Sequence, residues 1–144
     1  METNSKFIDL TFDYGFKIIF GNPDTPELMI GFLNELLPER EIVSIEFLNT
    51  EDHNGEESDK RVNFDIKCME PDGGYFIVEM QKYWNQAFFS RTLYNSIQVY
   101  GKQLKRGESF SDLKNVYSLN LVNDIAFADY QNEYIQEYYL TNKN

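Results

Sequence analysis

Apolar residues between Phe12 and Phe20 fall at helical spacing: Phe12, Phe16, Ile19 and Phe20 share one face, and Gly21-Asn22-Pro23 ends the stretch. A second helix is expected after Thr25, a suitable N-cap residue, with Pro26 at its first position. Leu28, Met29, Phe32, Leu33, Leu36 and Leu37 form its apolar stripe, and Pro38 stops it. Ile42 to Leu48 reads as a strand. Asn49 to Asp59 reads as a polar, acidic loop that contains His53 and the turn pair Asn54-Gly55.

From Arg61 to Met69 the pattern alternates strictly. Val62, Phe64, Ile66 and Cys68 point to one face, and Arg61, Asn63, Asp65 and Lys67 to the other. Pro71-Asp72-Gly73 is a three-residue hairpin loop in which Gly supplies the left-handed position. Tyr75 to Gln81 is then the return strand. This loop length sets Cys68 opposite Phe76, Ile66 opposite Val78 and Phe64 opposite Met80. All three pairs are apolar and on one face, so turn chemistry and hydrophobic pattern agree on the register. The same register sets Asp65 opposite Glu79 and Asn63 opposite Gln81.

Ala87 to Leu104 is a helix whose buried stripe is expected to be Phe89, Leu93, Ile97, Tyr100 and Leu104, with Gly107 capping its end. Val116 to Val122 is a further strand, and Tyr134 to Leu140 reads as one more. The order describes an α/β domain with a mixed sheet flanked by helices, a single domain over residues 1–144.

Composition narrows the chemistry. With 12 Phe and 10 Tyr the chain carries too many aromatics for a disordered segment. One cysteine, Cys68, and one histidine, His53, leave neither an internal disulfide nor a Cys/His zinc site. Any catalytic metal must then be held by oxygen, which favours Mg²⁺ or Mn²⁺. The N-terminus METNSKFIDL has no apolar signal region, and no apolar run approaches a membrane span, so a cytoplasmic location is expected. The net charge of −11 speaks against tight binding to nucleic acid. The distribution speaks otherwise: no Asp or Glu occurs from Gln81 to Gly107, where Lys82, Arg91, Lys102, Lys105 and Arg106 all lie. That segment is either a helix face paired to acidic neighbours or a phosphate-facing surface.

The Asp65 and Glu79 pairing is the candidate site. Directly opposed residues hold their Cβ atoms about 4.5–5.5 Å apart, where two like charges destabilise a sheet. The pair persists if a cation sits between the carboxylates or one of them stays protonated, and a divalent metal is the economical answer. The bland alternative is a pair of exposed charges on a solvated face, screened by Lys67. Asp13 and Lys17, one helical turn apart, can form an i,i+4 surface pair, or Asp13 can serve as a helix cap.

Asp65 followed by Glu79-Met80-Gln81 on the next strand resembles the D…(D/E)-x-K core of restriction-like nucleases, with Gln in the Lys position. More specifically the chain resembles the recombination-promoting nucleases, also described as transposases. The matching pieces are Asp13-Tyr14-Gly15-Phe16-Lys17-Ile18-Ile19-Phe20-Gly21, Phe32-Leu33-Asn34-Glu35-Leu36-Leu37, Asp65 within RVNFDIKC, and Ile77-Val78-Glu79-Met80-Gln81. They continue with Arg91-Thr92-Leu93-Tyr94, Tyr100-Gly101-Lys102-Gln103-Leu104 and Gly107. Together they span Phe12 to about Leu121. The resemblance implies the restriction-endonuclease-like α-β-β-β-α-β core and a Mg²⁺-dependent DNA endonuclease that promotes recombination or transposition.

It also implies site roles. Asp65 and Glu79 would be metal ligands, joined by the carbonyl of Met80, with Gln81 completing the catalytic set. Gln can orient water but carries no charge, so Lys67, Lys17 or Arg91 is a candidate to replace it. Asp13 would be an accessory acidic group near the metal. Lys82, Arg91, Lys102, Lys105 and Arg106 would contact DNA. A different class of function stays open. Members of that family are longer, so a shortened nuclease-fold module that lacks their C-terminal region could act by association with full-length relatives, or with itself, without cutting.

Overall fold

The computed structural model describes residues 7–52, 62–130 and 132–140. His53, Asn54-Gly55 and Arg61 lie outside them. The described chain runs α1 (Asp13–Phe20), α2 (Pro26–Leu36), β1 (Glu46–Phe47), β2 (Glu51–Asp52), β3 (Val62–Asn63), β4 (Ile66–Met69), β5 (Tyr75–Gln81), α3 (Ala87–Gly101) and β6 (Val116–Val122). Four strands form a mixed sheet in the order β1-β4-β5-β6, antiparallel except for the parallel β5–β6 pair, while β2 and β3 pair with each other. This is an α/β fold of the restriction-endonuclease-like kind.

The β4–β5 hairpin takes the register that its loop dictates: Ile66 pairs with Val78 and Cys68 with Phe76. Gly73 sits at φ +92°, and the loop closes through Glu70 N to Gly74 O and Gly73 N to Glu70 O, both 2.9 Å. A Cβ at Gly73 would also meet Lys114 Cγ at 2.9 Å. Gly73→Ala is therefore expected to cost at least about 1 kcal/mol, read as a lower urea midpoint, because Ala is strained at positive φ.

One face of the sheet packs on α1 and α2. Phe16, Met29 and Leu33 from the helices meet Ile66, Cys68, Phe76 and Val78, all nearly inaccessible to solvent. Burial pushes the Cys68 thiol up to about 12, so it is an inert core group. On the other face Ile77 packs with Phe64 and with Val99 of α3.

Several expectations change. The strand expected from Arg61 is broken at Phe64-Asp65, so β3 leaves the main sheet to pair with β2, and Phe64 N bonds Thr50 O at 3.0 Å. Phe64 thereby crosses to the α3 face with Ile77 instead of sharing a face with Ile66. The strand expected from Ile42 begins only at Glu46. The Asn34 side chain occupies both Ile42 backbone groups, accepting from N at 2.7 Å and donating to O at 2.8 Å.

Helix α3 ends at Gly101, short of Leu104 and Gly107. Gly is a poor helix former, and the Gln103 amide is drawn off to bond both backbone groups of Lys114. The helix buries Phe88, Asn95 and Val99, while Leu93, Ile97 and Tyr100 stay about half exposed. No strand forms among the described residues of Tyr134–Leu140; Tyr138 instead meets Phe89 and Phe127. No described helix is long and apolar enough to cross a membrane.

Candidate active site

A cleft of about 340 Å³ opens where the C-terminal end of β5 passes between the start of α1 and the first turns of α3. Asp13, Asp65, Glu79, Met80, Gln81, Lys82 and Arg91 all line it. Most of the residues singled out from sequence thus converge on one place, although they come from four separate segments.

Asp65 reaches this cleft by an unforeseen route. Hydrogen-bonded pairs alternate along an antiparallel ladder. Counting from Glu70 and Gly74, the next such pair beyond Ile66 and Val78 would join Met80 to Phe64. The chain break removes Phe64, and the Asp65 side chain takes its place: Met80 N donates to Asp65 Oδ2 at 2.7 Å. The donor that would have answered the Met80 carbonyl, Phe64 N, bonds Thr50 instead. Asp65 is therefore not a ladder partner of Glu79. It caps the strand end with one oxygen and turns the other, Oδ1, towards Lys17 Nζ at 3.6 Å.

Glu79 is 8% exposed and projects from β5 towards α3. Asn95 Nδ2 donates to its Oε1 at 2.9 Å, and Arg91 Nη2 stands 3.8 Å from Oε2. Burial raises the Glu79 pKa most, with a smaller push from Asp65; Arg91, Asn95 and Lys17 oppose it. A carboxyl with a raised folded-state pKa stabilises the fold at low pH. That contribution is lost as pH rises from the ordinary value of 4.5 through the raised one. Glu79→Gln, which mimics the neutral acid, is thus expected to have a higher urea midpoint than the wild type at pH 7 in EDTA. The gap should close below pH 4.5; a Glu79→Gln protein no more stable at pH 7 would mean that Arg91 and Asn95 outweigh burial.

Gln81 accepts from Arg91 Nη2 at 2.8 Å. Lys17 pairs with Asp65 and not with Asp13, whose Oδ1 accepts the Tyr14 N–H at 2.7 Å. Asn95 was not foreseen, and neither was the link from Thr92 Oγ1 to Asn120 Oδ1 at 3.1 Å that ties α3 to β6. The signal was present: Arg91, Thr92 and Asn95 form a polar stripe at helical spacing, opposite the apolar stripe that was expected to be buried.

The other basic residues divide. Lys82 stays at the cleft, its Nζ 4.0 Å from the centre of the Phe12 ring. Lys67 and Lys102 line a separate depression with Tyr75, Val99 and Gln103. Lys67 therefore does not share the cleft with Asp65. Lys102 lies eleven residues beyond Arg91, about 16 Å along the helix axis, with Lys105 and Arg106 further on. Trp84 packs against Phe88, Phe89 and Phe127.

The donor set suits a hard divalent cation. Each carboxylate has one oxygen fixed by a short bond, to Met80 N or Asn95 Nδ2, and one oxygen held only by a longer contact to a cation. No cluster of three or more His, Cys, Asp or Glu able to hold a metal occurs among the described residues. Two carboxylates and a backbone carbonyl are nonetheless enough for Mg²⁺, which keeps several waters.

The family model for the PD-(D/E)XK nuclease family transposase covers residues 10–144. No curated protein and no solved structure matches the chain.

Proposed function

The chain belongs to the PD-(D/E)XK nuclease family transposases, and from that premise we propose that it is an endonuclease hydrolysing DNA phosphodiester bonds in the Asp65–Glu79 cleft. The observation that carries this reading is the pair of carboxylates, fixed on one oxygen each and facing Lys17 and Arg91 with the other. Asp65, Glu79 and the Met80 carbonyl would hold Mg²⁺ or Mn²⁺. A bound divalent cation supplies polarisation of the scissile phosphate and a lowered pKa for the attacking water. Water adds to phosphorus, one P–O ester bond breaks, and the strand is left with a phosphate end and a hydroxyl end.

The protein's own groups do the rest. Burial and the Asn95 bond hold Glu79 in one orientation. Lys17 and Arg91 neutralise the two carboxylates before substrate arrives, which lowers the repulsion that a phosphodiester would otherwise meet. Lys82 and Arg91 then contact the DNA backbone at the cleft, with Lys102, Lys105 and Arg106 further along. In this reading the protein acts in the cytoplasm, without an organic cofactor, and its cuts promote recombination or transposition.

A second reading has its own support. The outer edge of β6 has no strand partner among the described residues, and Leu93, Ile97 and Tyr100 of α3 are about half exposed. An association module without cutting activity would use such a surface, with itself or with other members of the family.

Incubation with supercoiled plasmid separates the two. Nicking that needs Mg²⁺ or Mn²⁺ and stops in EDTA is the expected result. Self-association in sedimentation, without cleavage at low or moderate salt, would replace it with the second reading.

A further inference from the structure

The nuclease pattern carries Lys where this chain has Gln81. A lysine brings two things to that spot, a hydrogen-bond donor and a full positive charge. Gln81 alone brings the donor but no charge. The structure places an arginine against it: Arg91 Nη2 bonds Gln81 Oε1 at 2.8 Å.

That bond sets the amide's orientation. A guanidinium has donors and no acceptor, so the atom it meets must be the amide oxygen. The end of Gln81 left for other partners is Nε2, with two N–H groups and no competing acceptor. Arg91 itself is permanently charged, lines the same cleft and has a side chain 47% exposed. Its guanidinium lies 5.2 Å from the Phe88 ring, which props it at the base of α3. Arg91 also stands 3.8 Å from Glu79 Oε2, while Lys17 stands 3.6 Å from Asp65 Oδ1 and Lys82 lies over Phe12, and of these cations only Arg91 bonds Gln81 among the described residues.

We infer that Gln81 and Arg91 divide the work of the missing lysine, Gln81 Nε2 supplying the directed donor and Arg91 the positive charge beside the reacting phosphate. The inference rests on the nuclease reading above. It makes the two residues one functional unit, in which Arg91 both orients Gln81 and supplies what Gln81 lacks. Groups that act as a unit lose their effect together, so their losses do not add.

The experiment is a double-mutant cycle on plasmid cleavage, with Mn²⁺ binding followed by electron paramagnetic resonance and folding checked by thermal melts. Removing one preorganised donor of this kind costs about 10²–10³-fold in kcat. Arg91→Ala and Gln81→Ala are each expected to lose that much, and the double variant no more than either alone. Gln81→Lys combined with Arg91→Ala should recover activity to within roughly tenfold of the wild type, since one lysine then carries both roles. Mn²⁺ affinity should not weaken in Arg91→Ala, whereas it would weaken if Arg91 merely held Glu79 in place. Multiplying losses in the double variant, or a folded Gln81→Lys/Arg91→Ala protein as inactive as Arg91→Ala, overturns the inference while wild-type cleavage keeps the nuclease reading. A wild-type protein that does not cut overturns both.

Discussion

Asp65→Ala is expected to lose metal-dependent plasmid cleavage by more than about 100-fold, because loss of a group that only supports a metal ligand already costs about 10–100-fold and Asp65 is proposed as a ligand. The substitution removes two things at once. One is the free oxygen, Oδ1, that faces the cleft and pairs with Lys17. The other is Oδ2, which satisfies Met80 N where the ladder has lost its backbone partner. Asp65→Asn separates them. Its amide oxygen can still accept from Met80 N, but it offers no charge to a cation. Both variants should therefore be inactive, while the Asn form should melt closer to the wild type, since an unsatisfied backbone donor costs about 1–3 kcal/mol when water cannot replace the partner. Cleavage that survives in both would show that the site has been misassigned.

Arg40→Ala is expected to destabilise the protein by about 2–3 kcal/mol in urea denaturation. Arg40 pairs with the buried Glu70, stands 3.6 Å from Asp72 and lies over the Tyr117 ring at 4.9 Å, which joins the loop after α2 to the β4–β5 hairpin and β6. Breaking a fully buried pair costs about 3–5 kcal/mol because one charge is left uncompensated. The Arg40 and Glu70 side chains are 22% and 10% exposed, which lowers the figure. Replacing both partners by Met should recover most of the loss, as apolar groups of similar volume often stand in for such a pair without penalty. If the double Met variant is as unstable as Arg40→Ala, packing against Tyr117 and not charge pairing is the source.

The sequence by itself determined whatever depends on neighbours along the chain. The bounds of β5 and β6, the positive φ of Gly73 and the Ile66–Val78 register follow from loop length and two-residue alternation, both local. The place of Glu79 and Gln81 at the end of β5 followed from the same local pattern, whereas Asp65 joins them by capping the strand where the ladder breaks. Tertiary structure decided the remainder. The alternation runs unbroken through Phe64-Asp65, yet the chain breaks there because β2 offers β3 a competing partner. The apolar stripe of α3 was the stronger signal, yet Phe88, Asn95 and Val99 are buried, because the facing sheet presents Ile77 and Glu79 and a buried carboxylate needs a donor opposite it. The Lys17–Asp65 contact joins elements far apart in sequence, and the Arg91–Gln81 contact depends on how α3 folds back on the end of β5. Periodicity reports which residues share a face of their own element; it carries no information about which face of another element will meet them.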